Sequence, residues 1–219
     1  MIDEERVKII REAAKDLRYL LNRGYGKTSS LKIVGDRYGL DKKERLILFR
    51  GILPKHDADL IRSRKIDACG IRGKEVWVDG FNVLHTIEAV IKGDLIVLGD
   101  DGVIRDVSGI HGKYSPTKST ERALQTMINI LKEVEASYTV ILYESQISRS
   151  GEIAALTRRI LKYSGVRGEA RTSKTVDSEL VKSGKIVATS DSIILLRCNQ
   201  FFDIPGYLVS KNQIQVLKL

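Results

Sequence analysis

An apolar run typical of a buried strand ends in a carboxylate in the segment Val76-Trp77-Val78-Asp79-Gly80-Phe81-Asn82. Beyond residue 74, short apolar runs of this kind alternate with amphipathic helical segments. That alternation predicts an α/β fold with a mostly parallel central sheet flanked by helices. Ligands bind outside the carboxyl ends of the strands in such sheets. We therefore expect Asp79 to lie at the binding edge of the sheet.

The predicted α/β domain spans residues 73–219 and carries one inserted hairpin near residues 95–107. The hairpin is predicted because Asp101-Gly102 separates two apolar runs. A second β pair is predicted from two short apolar runs near residue 210. The remaining predicted elements are strands at Val76–Val78, Thr139–Tyr143 and Ile186–Ala188, helices near 83–92, 118–135, 152–164 and 175–183, hairpin strands at Leu95–Leu98 and Val103–Val107, and the β pair Tyr207–Val209 with Ile214–Leu217.

Residues 1–72 are predicted to form a small all-helical module that precedes the α/β domain. Apolar residues recur at spacings of three and four between Val7 and Leu21, which indicates an amphipathic helix. Gly39 ends a second predicted helix, and Asp41 with Glu44 forms a capping-box pattern that starts a third. The segment 51–73 is interpreted as the connection to the next domain.

The positive charge of the chain is concentrated in this helical module. The net charge is +9, and residues 1–72 contain 18 Lys and Arg against 11 Asp and Glu, whereas residues 73–219 contain 19 against 17. This distribution predicts contact with a polyanion such as RNA, with DNA as an alternative. A solvated helical surface is the plainer interpretation.

Several classes of protein are disfavoured by the sequence. No apolar run approaches the ~20 residues that span a bilayer. The first ten residues place acids before bases without an apolar core, so they do not predict a signal peptide. Cys69 and Cys198 show no paired spacing, which disfavours a disulfide framework or zinc site and favours a reduced, cytoplasmic setting. Any metal would have to be held by oxygen atoms.

Two more predicted strands are followed by acids, and a fourth acid begins a helix. Glu144 ends the second strand, Asp191 follows the third, and Asp177 begins the helix between them. Carboxylates that share a cleft repel one another, and a hard divalent cation, Mg²⁺ or Mn²⁺, is the usual remedy. The pattern predicts metal-dependent phosphodiester hydrolysis. Taken singly, Asp79 also fits a turn, Asp177 and Asp191 fit helix N-caps, and Glu144 fits a solvated strand end.

The order of these motifs resembles the PIN-like nuclease superfamily, and especially its NYN branch, over about residues 74–200. The resemblance rests on Asp79-Gly80-Phe81-Asn82 and Thr189-Ser190-Asp191, each after an apolar strand, with Asp177 between them. Glu144 departs from the aspartate that is commoner in that branch. Nearly the whole chain also resembles a largely archaeal family in which a basic helical module precedes such a domain.

The resemblance implies roles for individual residues. Asp79, Asp177 and Asp191 would hold Mg²⁺ or Mn²⁺ directly or through water, with Glu144 as an outer ligand. Asn82 would orient Asp79 or a water on the metal. Either Thr189 or Ser190 would donate a hydrogen bond to a carboxylate or to the scissile phosphate.

A loop after the hairpin supplies cationic side chains of its own. Arg105, His111 and Lys113 are candidate hydrogen-bond donors to a substrate, because their side chains are cationic or can become so. Nearby glycines would let the backbone approach the same ligand closely. An ordinary glycine-containing loop is the competing interpretation.

Three functional hypotheses follow from the sequence. The first is a Mg²⁺- or Mn²⁺-dependent endoribonuclease, where the choice of RNA over DNA rests on the resemblance alone. The second is a nucleic-acid-binding protein with a degenerate nuclease fold, which the departure at Glu144 favours. The third is a regulator whose helix-turn-helix outline reads DNA. Whether the chain forms a homodimer stays open.

Overall fold

The computed structural model describes residues 3–107 and 116–219, and the described chain begins with four helices. These are α1 Glu4–Asn22, α2 Lys27–Arg37, α3 Lys42–Gly51 and α4 Lys55–Arg64. The Asp41–Glu44 capping box predicted for α3 is present, with both reciprocal hydrogen bonds formed. The segment 51–73, which we interpreted as the connection between domains, contains the unpredicted helix α4, which follows Pro54 and buries Ala58 and Ile61.

An α/β arrangement follows the four helices. In chain order its elements are β1 Glu75–Asp79, α5 Gly80–Lys92, β2 Ile96–Leu98, β3 Ile104–Asp106, α6 Lys118–Glu133, β4 Tyr138–Glu144, α7 Ser150–Ser164, β5 Gly168–Ser173, α8 Val176–Lys182, β6 Ile186–Ala188, α9 Ser192–Leu195, β7 Gln200–Phe201, α10 Ile204–Lys211 and β8 Leu217–Lys218.

The central sheet has five parallel strands in the order β5-β4-β1-β6-β7, which confirms the predicted fold class. The strands β4 and β6 flank β1 directly, so the acids after these three strands reach the same edge. Strand β5 was not predicted, because its sequence GEARTS at the sheet edge is polar rather than an apolar run.

A second sheet, in the order β3-β2-β8, contains the inserted hairpin. Strands β2 and β3 pair antiparallel, as the Asp-Gly signal predicts, and β8 pairs parallel with β2. The predicted strand Tyr207–Val209 was wrong, because these residues belong to α10. Asp203 accepts a hydrogen bond from the Gly206 N–H at 2.8 Å, and Pro205 in the first turn also favours a helix start. Of the predicted strand Ile214–Leu217, only Leu217 pairs, as part of β8.

Helices cover both faces of the central sheet. Helices α5, α6 and α7 share one apolar core with one face, and α4, α8 and α9 share another with the opposite face. A third core joins α1, α2 and α3 to Val97 of β2 and to Val107. The N-terminal helices are therefore packed against the second sheet and beside the carboxyl edge of the first. Among the described helices, none has the length and apolar character of a membrane span.

We expect Leu48→Ala to destabilise the whole protein, because Leu48 is fully buried in the core that α3 shares with β2. Removing a core leucine typically costs ~2–5 kcal/mol, so the free energy of unfolding from urea titration should fall by that amount. Tyr163→Ala is the control, since its 89% exposed side chain predicts a change within about 0.5 kcal/mol. Equal stability of the two variants would contradict the packing of α3 against β2 in one core.

Candidate functional site

The structure brings the predicted acids together in one cleft of about 610 Å³ at the carboxyl edge of the central sheet. Thr189 is buried behind the cleft, and His111 and Lys113 lie outside the described residues. The sequence-predicted residues that line the cleft are Asp79, Asn82, Arg105, Glu144, Asp177, Ser190 and Asp191.

Asp79 is the last residue of β1 and is 3% exposed. Its Oδ2 atom accepts a hydrogen bond from the Thr189 hydroxyl at 2.8 Å. Its Oδ1 atom is buried and has no hydrogen-bond partner among the described residues. Burial raises the pKa of Asp79 well above its usual range, and the charges of Glu144 and Asp191 raise it further, while the Thr189 hydrogen bond lowers it.

Gly80 allows this buried acid to sit directly before a helix. A Cβ atom at position 80 would lie 2.4 Å from the Tyr143 ring and 2.7 Å from the Leu142 carbonyl oxygen. Only a residue without a side chain fits where α5 leaves the sheet against β4. The glycine of the Asp-Gly-x-Asn motif is thus explained by close packing against the neighbouring strand.

Glu144 ends β4 beside Asp79 and repeats the same pattern. Its Oε2 atom is also buried without a hydrogen-bond partner in the described part of the chain. Burial raises the pKa of Glu144, and the charge of Asp177 raises it further, whereas a hydrogen bond from the Glu144 backbone and the charge of His85 lower it. Asp177 is exposed in the first turn of α8, where Thr175 holds the N-cap position, so the alternative of Asp177 as an N-cap was wrong.

Asp191 lines the cleft and caps a helix at the same time. Its Oδ1 atom accepts a hydrogen bond from the Ile193 N–H at 2.7 Å, at the start of the four-residue helix α9. The N-cap alternative from the sequence is therefore confirmed for Asp191. The bond to Ile193 also fixes the direction of the carboxylate.

Asn82 and Arg105 hold the loop that carries these groups. The Asn82 Oδ1 atom accepts hydrogen bonds from the Ser190 N–H at 2.7 Å and from its hydroxyl at 2.9 Å. Arg105 donates to the Ser190 carbonyl at 2.8 Å and forms an ion pair with the fully buried Asp101. The Arg105 guanidinium is therefore engaged within the protein, where it braces the loop between β6 and α9.

The opposite wall of the cleft comes from the N-terminal helices, and reasoning from the sequence missed its residues. Lys27 begins α2, and Phe49 and Arg50 lie near the end of α3. The Lys27 Nζ atom lies 4.7 Å from the centre of the Phe49 ring. Arg50 lies 4.0 Å from the Asp106 carboxylate. The basic excess of residues 1–72 was the available signal, but it does not identify individual side chains.

The carboxylate oxygens that line the cleft are the kind of ligand that a hard cation prefers. Within residues 3–107 and 116–219, no group of three His, Cys, Asp or Glu side chains is arranged to hold a metal ion. Two buried carboxylate oxygens, Asp79 Oδ1 and Glu144 Oε2, nevertheless lack a donor among the described residues. A divalent cation such as Mg²⁺ takes carboxylate oxygens as ligands and would neutralise the charges that raise both pKa values.

We expect Asp79→Asn to stabilise the protein in metal-free buffer by roughly 1–3 kcal/mol near neutral pH, because folding of the wild type must either take up a proton at Asp79 or bury its charge, and asparagine does neither. The pKa of Asp79 is higher in the folded state than in the unfolded state. Wild-type stability therefore falls as pH rises from about 4 through that raised pKa, whereas asparagine does not titrate.

Urea titrations of both proteins in EDTA, across acidic to alkaline pH, measure this difference. The two stabilities should converge at low pH and separate as pH rises. The exposed Asp94→Asn is the matched control and should show no such separation. An Asp79→Asn variant that is less stable than wild type at every pH would show that the buried Asp79 carboxylate does not destabilise the fold.

Comparison with known proteins places the chain in a family. It is 37% identical over 186 residues to an uncharacterized protein of Methanocaldococcus jannaschii, a match that covers 85% of this chain and 88% of that relative. No solved structure matches the chain. A model described as "Protein of unknown function (DUF434)" matches residues 9–64. Residues 68–207 match the model described as "Domain of unknown function (DUF5616)", and the chain belongs to that family.

Proposed function

We propose that this protein is a Mg²⁺- or Mn²⁺-dependent ribonuclease that hydrolyses phosphodiester bonds of RNA in the acidic cleft. The observation that carries the proposal is the pair of buried carboxylate oxygens, Asp79 Oδ1 and Glu144 Oε2, without partners among the described residues. Perturbed carboxylates that cluster in a cleft are typical of functional sites, because they rarely serve stability. The choice of RNA rests on the resemblance to NYN-type nucleases.

The charge of the cleft favours a cation together with a phosphate substrate. Asp79, Glu144, Asp177 and Asp191 all line one cavity, so their negative charges would repel a phosphodiester in the absence of metal. A divalent ion binds through a few carboxylates together with substrate phosphate oxygens. When bound, it would lower the pKa of a water molecule and neutralise charge that develops on the phosphate.

Side chains of the cleft would position the attacking water and the phosphodiester. Thr189 holds one oxygen of Asp79, which leaves the other oxygen for the cation. The Asn82–Ser190 hydrogen bonds fix the loop that presents Asp191 to the same cavity. Because these side chains are held by hydrogen bonds before substrate arrives, the geometry costs little reorganisation during the reaction.

Cleavage of a labelled RNA with Mn²⁺ or Mg²⁺, and with EDTA, tests the proposal. We expect cleavage only with metal, and a loss of roughly a thousandfold or more in Asp79→Asn, because a bound metal supplies several kcal/mol of charge stabilisation. The exposed Asp94→Asn controls for the loss of a carboxylate elsewhere and should cleave normally. The same assay with DNA of the same sequence decides between the two substrates.

Two results would overturn the ribonuclease assignment. Binding of RNA by wild-type protein that cuts no RNA with either metal would favour the nucleic-acid-binding alternative. Cleavage that survives in both Asp79→Asn and Glu144→Gln would show that the acidic cleft is not the site of hydrolysis.

Metal binding has a readout that does not need activity. A ligand that binds only the folded state stabilises it by about 2.7 kcal/mol at a hundred times its Kd. Mn²⁺ should therefore raise the unfolding temperature of the wild type and leave that of Asp79→Asn nearly unchanged. Equal shifts in the two proteins would place the ion outside this cleft.

A further inference from the structure

Helix α3 builds part of the wall of the cleft that lies opposite the acids. Ile47 and Leu48 are fully buried in the core of the N-terminal helices. Phe49 and Arg50 lie three and four residues after Leu46, and all three line the cleft, although Leu46 also packs against the same core. One side of α3 thus holds the helix in place while another faces the acids.

Lys27 presents a cation on this wall, where its Nζ atom lies over one face of the Phe49 ring. The side chain is half-buried, and its Nζ atom has no carboxylate within ion-pair distance among the described residues. Burial, together with the charge of Arg105, lowers the pKa of Lys27 to about 8, although the charges of Asp101, Asp100 and Asp191 act in the opposite direction. An anionic oxygen that enters the cleft would supply the missing acceptor.

Phe49 presents an apolar surface in the same place. Its side chain is 46% exposed, and Ile193 on the α9 side of the cleft is 59% exposed. Single exposed apolar side chains are ordinary on a protein surface. These two line one cavity with three cationic and five acidic side chains: Lys27, Arg50 and Arg105, and Asp79, Asp106, Glu144, Asp177 and Asp191. Once a metal ion neutralises the acids, such a cavity suits a ligand with both a flat apolar face and negative charge.

A nucleotide within a single strand has both of these features. Its base offers a flat face to an aromatic ring, and its phosphate offers an oxygen to an ammonium group. The bases of a duplex are stacked on one another, so their faces are not available to Phe49. The acids on the facing wall would then lie next to the neighbouring phosphodiester of the same strand.

We propose that Lys27 and Phe49 form a subsite that binds one nucleotide of single-stranded RNA, with Lys27 on a phosphate and Phe49 stacked on the base. The inference rests on the proposed ribonuclease function, whose substrate class it narrows to unpaired RNA. It also gives the N-terminal helices a direct part in the site.

Binding by the full chain in Ca²⁺ tests the subsite while a hard cation with the same oxygen ligands neutralises the acids, and gel analysis shows that the labelled RNA stays intact. Fluorescence anisotropy with a labelled, unstructured RNA of about ten nucleotides reports affinity. Phe49→Ala should weaken binding roughly five- to a hundredfold, since each stacked base contributes on that scale. Phe49→Trp, which keeps an aromatic face, should retain most of the affinity.

Lys27→Gln tests the phosphate contact separately. The slope of log affinity against log salt should become shallower by about 0.7, the value for one phosphate contact to a single strand. Lys8→Gln and Tyr163→Ala are matched controls, because both residues are exposed outside the cleft, and neither should change affinity or slope. Unchanged circular dichroism and unfolding temperature would show that each variant is folded.

The subsite is overturned if Phe49→Ala and Lys27→Gln bind like the controls, if a duplex of the same sequence binds as tightly as the single strand, or if no RNA binds.

Cleavage assays distinguish failure of the subsite from failure of the proposed ribonuclease function. Metal-dependent cleavage with unaltered kinetics in both variants would retain the ribonuclease and reject the subsite. If the wild type binds RNA without ever cleaving it, and both variants lose that binding, the subsite is retained and the ribonuclease function is rejected.

Discussion

The burial of the Asp79 carboxylate is the constraint on which the arrangement of the cleft depends. A buried acid at the end of the central strand β1 requires a donor, and Thr189, which directly follows the adjacent strand β6, supplies one at 2.8 Å. The second oxygen is left without a partner in the described residues. Because Glu144 repeats this pattern at the end of β4, two unsatisfied oxygens belong to neighbouring strands of one sheet.

The cleft needs two parts of the chain that are distant in sequence. The acids come from the central sheet, whereas Lys27 and Phe49 come from helices that pack on the second sheet. Arg18 of α1 donates to Asp100 of the hairpin at 2.7 Å, which ties the two parts together beside their shared apolar core. Packing of the N-terminal helices thus sets the position of Lys27 and Phe49 opposite the acids.

Local sequence signals predicted the elements wherever one pattern dominated. Apolar runs located β1, β4 and β6, and the Asp-Gly turn located the hairpin. They failed where the pattern was weak or ambiguous. Strand β5 carries charged residues at a sheet edge, and Tyr207–Val209 is short enough to fit either a strand or a helix until the cap at Asp203 is known.

The sequence by itself determined that Asp79, Glu144 and Asp191 would lie at one edge of a sheet, because parallel strands present their carboxyl ends there. It also determined that any metal there would be held by oxygen. The tertiary structure decided that β4 and β6 flank β1, which brings these acids into one cleft. Only the tertiary structure decided that Asn82 binds Ser190, that Arg105 turns inward to Asp101, and that Phe49 faces the acids. The physical reason is that hydrogen bonds and burial depend on which groups meet in space, and such contacts leave no period or motif along the chain.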